Sequence, residues 1–182
     1  MRQAFTCCGT RPAVGGTQTV LAAFRPASSC LMISRMIKYV RIYTDGGARG
    51  NPGPAGSGAV VKFLHEDGSE GEVLAAVHEY IGETTNNQAE YYAIILGLTK
   101  AKELGAQKVD LFMDSELAVK QLNGEYRVKN PGIAEKFLQV HNLLQGFQHV
   151  RIRHVPRERN READALVNAA IDEHFKRRSS TA

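Results

Sequence analysis

The order in which two hydrophobic rhythms follow one another constrains this chain more than any other feature. A period of two marks strands, and a period near 3.6 marks helices. The first rhythm comes three times, over Lys38–Asp45 (KYVRIYTD), Ala59–Leu64 and Glu72–Ile81. Gly46–Gly58 reads as a Gly/Pro-rich turn, and His65–Gly71, with Asp67-Gly68, as a hairpin loop. Helix and strand then alternate. Asn86–Leu104 reads as a helix stopped by Gly105, and Lys108–Met113 as a strand. Ser115–Leu122 reads as a short helix, and Pro131–Leu144 as a longer one with proline in its first turn. Gln148–Val155 is the last strand and Asn160–Phe175 the closing helix. The order βββαβααβα implies an α/β fold. It is a five-stranded mixed sheet flanked by helices, with an antiparallel meander first and crossovers after it.

These elements occupy a body over 36–176, and the ends differ from it. Residues 1–35 hold all three cysteines (Cys7, Cys8, Cys30) and are rich in Ala, Gly, Ser and Thr. They read as a disordered leader or as a mis-annotated extension, with translation starting at Met32 or Met36. An Arg-bearing, acid-free leader also fits an organelle transit peptide, so a cytoplasmic location is expected with organelle targeting left open. Residues 177–182 read as a disordered tail. Four of the 23 basic residues lie before Lys38, and the remaining 19 face all 19 acids. Any affinity for a polyanion must then come from local patches, not from net charge. The longest apolar runs, such as Ala93–Leu98, are far too short to cross a bilayer, so no membrane partner is expected.

Four acids stand where chemistry collects. Asp45 ends the first strand against Gly46-Gly47, and Asp114 follows the strand Lys108–Met113. Glu90 lies in a helix that continues Tyr91, Tyr92, Ala93, Ile94, Ile95, Leu96, apolar nearly all round, where a carboxylate needs a compensating cation or donors. Asp164 opens the last helix. Each has a plainer reading: a turn former for Asp45, an N-cap for Asp114, complements to helix dipoles for Glu90 and Asp164. Taken as a set they suggest otherwise. Four gathered carboxylates repel and demand a cation, and hard divalent ions prefer oxygen ligands.

Tyr43-Thr44-Asp45-Gly46-Gly47, Thr85-Asn86-Asn87-Gln88-Ala89-Glu90, Met113-Asp114-Ser115 and Asn160-Arg161-Glu162-Ala163-Asp164 resemble, in order, the four acidic motifs of type 1 ribonuclease H. The resemblance covers about residues 37–175. It implies the ribonuclease H-like fold, and a monomeric endonuclease that cuts the RNA strand of RNA–DNA hybrids to 5′-phosphate and 3′-hydroxyl ends. Asp45, Glu90, Asp114 and Asp164 would be the catalytic ligands of two Mg²⁺ or Mn²⁺ ions. Asn51, Asn86 and Asn87 would touch the minor groove, where 2′-hydroxyls distinguish RNA from DNA. Thr85 and Asn130 would grip a DNA-strand phosphate. Turn and cap roles remain the alternatives for Asn51, Thr85 and Asn86.

Two departures from the family pattern stand out. Many members carry a catalytic histidine on a flexible loop before the last acid. Here His154-Val155-Pro156-Arg157-Glu158-Arg159-Asn160 is short, His154 falls in the strand, and Arg157 is the candidate for an accessory role. The long basic helix and loop that some members use to hold the hybrid is missing between Asp114 and Pro131. The alternatives are another nuclease of the same fold, of resolvase or transposase type, and a non-catalytic hybrid-binding module.

Overall fold

Alternation of apolar and polar residues makes Tyr39–Ala48 a strand (β1) with Val40, Ile42 and Thr44 buried on one face. A computed structural model describes residues 39–180, so the expectations for residues 1–35 lie outside the described residues. β1 pairs antiparallel with β2 (Gly53–Leu64), and β2 with β3 (Glu70–Thr84). Helix α1 (Asn86–Glu103) leads to β4 (Lys108–Met113), which pairs parallel with β1. Helices α2 (Glu116–Leu122) and α3 (Pro131–Leu144) follow, then β5 (His149–His154), parallel to β4. A 3-10 turn at Arg157–Arg159 precedes α4 (Arg161–Ser180). The sheet order is β3-β2-β1-β4-β5.

The core lies between the sheet and α1. Tyr91, Ile94 and Leu98 of α1 pack with Val40, Ile42, Val61, Val109 and Leu111, closed off by Ile133 and Val140 of α3. Helix α4 covers the opposite face of β1, β2 and β3.

The structure corrects one stretch of the sequence reading. Gly46–Gly58 is not a turn: β1 continues to Ala48, β2 starts at Gly53, and the chain reverses over the four residues between. These glycines are in the sheet because helices press on it. A Cβ on Gly46 would sit 2.1 Å from the Ala89 carbonyl carbon, and one on Gly58 2.7 Å from the Ala163 oxygen. Gly50 is a turn glycine in the ordinary sense, with φ of 104°. Helix α4 also runs on to Ser180, into the segment read as a tail, where Arg177 pairs with Glu173 one turn back.

Candidate active site

Parallel pairing of β1 with β4 sets the first two acids side by side. Thr44 is in register with Met113, so Asp45 and Asp114 come next along adjacent strands, and the charge of Asp114 bears on the Asp45 carboxyl. The turn role proposed for Asp45 does not apply, since it lies within β1. Nor does Asp114 cap α2: Ser115 does, its hydroxyl accepting from the Ala118 N–H at 3.4 Å.

The other two acids arrive by helix. Glu90 is in the second turn of α1, which approaches β1 through Gly46 and is tied to β2 where the Ser57 hydroxyl donates to the Ala89 carbonyl at 2.9 Å. Asp164 is in the first turn of α4, which sits on Gly58, the residue opposite Asp45 in the β1–β2 pairing.

The electrostatics tie Asp45 to the other three acids. Burial, first, and then the charges of Asp114, Asp164 and Glu90 push the Asp45 carboxyl up to about 7. Burial likewise pushes Glu90 up to about 7, with Asp114 adding to the rise and a hydrogen bond from Ser115 opposing it. Glu90 is partly buried rather than sunk among apolar side chains, and its Oε1 accepts from Asn86 Nδ2 at 3.2 Å. The Arg157 guanidinium donates to Asp164 Oδ1 at 2.7 Å, and Asp45 and Asp114 also favour its charged form. His154 ends β5, its ring nitrogen 3.2 Å from the Asp114 carbonyl oxygen rather than against a carboxylate.

The expected substrate contacts fall into two groups. Asn51 Oδ1 accepts from the Asn86 N–H at 3.3 Å, and Asn86 Oδ1 accepts from the Ala48 N–H at 3.3 Å. Asn86 therefore uses both ends of its amide to join the β1–β2 turn to Glu90, while Asn87 beside it is exposed. Thr85 stands at the N-cap of α1 but makes no side-chain capping bond. Asn130 does cap its helix, accepting from the Gly132 and Ile133 N–H groups. The start of α3 abuts that of α1, for a Cβ on Gly132 would lie 2.6 Å from Gln88 Nε2.

Sequence reasoning missed Asn160. Its side chain is 1% exposed; its Nδ2 donates to the Thr44 carbonyl at 3.0 Å and to Asp114 Oδ1 at 3.2 Å. It thus links the end of β1, the end of β4 and the approach to α4. Asn160 stood in the fourth motif, but an asparagine at a helix start reads as a cap.

A family model described as reverse transcriptase-like matches residues 43–170. The chain is 44% identical over 133 residues to a bifunctional protein of Mycobacterium tuberculosis, matching 73% of this chain and 35% of that one. It is 42% identical over 134 residues to a ribonuclease HI of Halobacterium salinarum, matching 74% and 65% respectively. LC11-RNase H1, solved in complex with an RNA/DNA hybrid, superposes with a TM-score of 0.68 at 45% identity, over 75% of this chain and 99% of that one. The chain belongs to the type 1 ribonuclease H family. It spans 35% of the length of the mycobacterial relative and 65% of the halobacterial one.

Type 1 ribonuclease H enzymes depend on divalent metal ions. The site of this family member fits such a group by the chemistry of its donors: four carboxylates, two of them pushed up to about 7 chiefly by burial and then by neighbouring acids. Among the described residues no three are already closed around one point. Arg157 holds Asp164 aside, and Asn86 and Ser115 hold Glu90. No helix among the described residues is long and apolar enough to cross a membrane.

Proposed function

We propose that residues 36–176 form a catalytic domain that hydrolyses the RNA strand of RNA–DNA hybrids, leaving 5′-phosphate and 3′-hydroxyl ends. The observation that carries this reading is Asp45, a carboxyl pushed up to about 7 by burial and by the charges of the three other acids. So much like charge in one partly buried place is costly to folding, and a divalent cation offsets that cost. The likeness to a ribonuclease H1 solved with a hybrid supports the substrate class.

Asp45, Glu90, Asp114 and Asp164 would hold two Mg²⁺ or Mn²⁺ ions, which supply water activation and stabilisation of the leaving 3′-oxygen. Asn51 and Asn87, both exposed, would meet the minor groove, and Asn86 donates to Glu90. Thr85 and Asn130, each at a helix start, would take a phosphate of the DNA strand. Arg157 holds Asp164 until the site fills and then turns to the substrate or product phosphate. All four acids come from one chain, so the domain acts as a monomer. The body lacks cysteine, which suits a reducing compartment such as the cytoplasm.

The test is cleavage by the full chain of a hybrid, a DNA duplex and a four-way junction, with Mg²⁺ and with EDTA. Cleavage confined to the hybrid RNA strand and abolished by EDTA is expected. Asp45→Asn should abolish it while hybrid binding persists. Cleavage of the junction instead, or an unimpaired Asp45→Asn, sinks the assignment.

A further inference from the structure

The function above leaves one charged surface unused. Arg151 and Arg153 alternate on β5, the edge strand, with Val150 and Ile152 turned into the core side. The arginines therefore lie on the face that α4 covers only over β1, β2 and β3. Register sets Arg151 level with Asp110 and Arg41, and Arg153 level with Phe112 and Tyr43. Between this row and the start of α4 is a cavity of about 390 Å³, lined by Arg41, Tyr43, Lys62, Phe112, Arg159 and Asn160 among others. Its lining acids are already engaged: Glu70 by Arg41 and Lys62, Glu162 by Lys62. Arg153 and Arg159 are exposed, and among the described residues their guanidinium groups have neither ion pair nor hydrogen bond.

A continuous basic path results. It begins at Arg159, which lines the cavity next to the buried Asn160 that touches Asp114, and continues on β5 with Arg153 and Arg151. Two residues of strand separate those arginines by roughly 7 Å. Exposed arginines on a solvent-facing groove suit phosphates, Arg151 included, whose Nε donates to His149 Nε2 at 3.0 Å and leaves the rest of its guanidinium available. The path turns from the end of the sheet onto its face, which decides the form of nucleic acid. A duplex bends over about 150 base pairs and cannot follow so tight a corner. A single strand can, and a basic groove is how such strands are held.

We propose that this face binds the single-stranded stretch flanking a hybrid, with Arg151, Arg153 and Arg159 on its phosphates. The proposal rests on the hybrid being the substrate.

The experiment measures binding of the full chain, in EDTA, to a blunt hybrid and to hybrids carrying a single-stranded arm at one end or the other, across a salt series. One arm should tighten binding and steepen the dependence of log affinity on log salt by about 2 to 3. Arg151→Ala/Arg153→Ala should remove that increment and leave the blunt hybrid unchanged, and the double lysine variant should restore most of it. An arm that adds nothing in the wild type overturns the proposal, as does a double alanine variant that weakens blunt and armed hybrids equally. So does an acidic polypeptide that competes at this face where the arm does not, since the occupant is then a protein. Failure of the catalytic reading shows separately, as loss of Mg²⁺-dependent cleavage of the blunt hybrid by the wild type.

Discussion

The position a Cβ would take on Gly46 lies 2.2 Å from the backbone nitrogen of Glu90. The neighbour is backbone, so no rotamer change relieves the clash and the helix itself must move. Gly46→Ala should therefore cost about 3 kcal/mol or more, at the upper end of overpacking effects. Thermal denaturation should show a fall of roughly 6–12 °C. Gly47→Ala is the comparison, since its Cβ would meet a Val167 methyl at 3.2 Å, the far end of a side chain. Equal losses in the two variants would contradict the steric account.

Asp45→Asn removes a charge that its neighbours resist. The variant's cleavage rate should fall at least about 10³-fold if several kcal/mol of metal-assisted stabilisation depend on this ligand. The metal-free protein should nonetheless be more stable than wild type, by about 4 °C in melting temperature. Added Mg²⁺ should raise the wild-type midpoint and leave that of the variant nearly flat. A variant melting below wild type in EDTA would argue against crowding of like charge.

The same repulsion sets a pH dependence. Asp45 and Glu90 hold protons up to about 7 when folded, against ordinary values of 3.8 and 4.5. Between those limits the folded, metal-free chain binds more protons than the unfolded one. Their contribution to stability is thus fullest at low pH, declines as pH rises from about 4 to about 7, and levels off above that. Denaturant titrations in EDTA at about pH 5.5 and 7.5 should differ less in an Asp45→Asn/Glu90→Gln variant than in wild type. An undiminished difference would place the titration elsewhere.

Asn160→Ala strips a buried donor from both Thr44 and Asp114. The loss should be about 1–3 kcal/mol of stability. Catalysis should drop further than stability explains, through kcat with KM nearly unchanged, because Asp114 loses its orientation. A KM defect alone would make Asn160 a substrate contact instead.

Arg157→Ala should leave stability within about 1 kcal/mol, since the guanidinium is 76% exposed in its pair with Asp164. It should lower the Mg²⁺ concentration needed for half the thermal shift, as Asp164 no longer has a rival cation. A raised requirement would show that Arg157 organises the site rather than competing for it.

Much of this was legible before any coordinates. The limits of β4 and α3 match the expected ones residue for residue, because an apolar run bounded by charge and a proline-started amphipathic stretch are local signals. Asp114 was legible as following a strand and Asp164 as opening a helix, whereas Asp45, read as a strand end, lies within β1. What escaped depends on contacts remote in sequence. Gly56 and Gly58 look like turn residues until α4 is seen lying on them. Asn160 looks like a cap until its amide is found against Thr44, 116 residues earlier in the chain. Asn86 likewise proves to be a brace, engaged at both ends, where its residue type suggested an open contact.

The seat of α4 on Gly56 and Gly58 has an evolutionary corollary. Strand β2 carries no acid of the quartet, yet its glycines let α4, and with it Asp164, come close to the strand opposite Asp45. A library selected for lost activity should hence return β2 glycine substitutions with every carboxylate intact, and a relative with a bulkier residue there needs a displaced last helix to keep its quartet together.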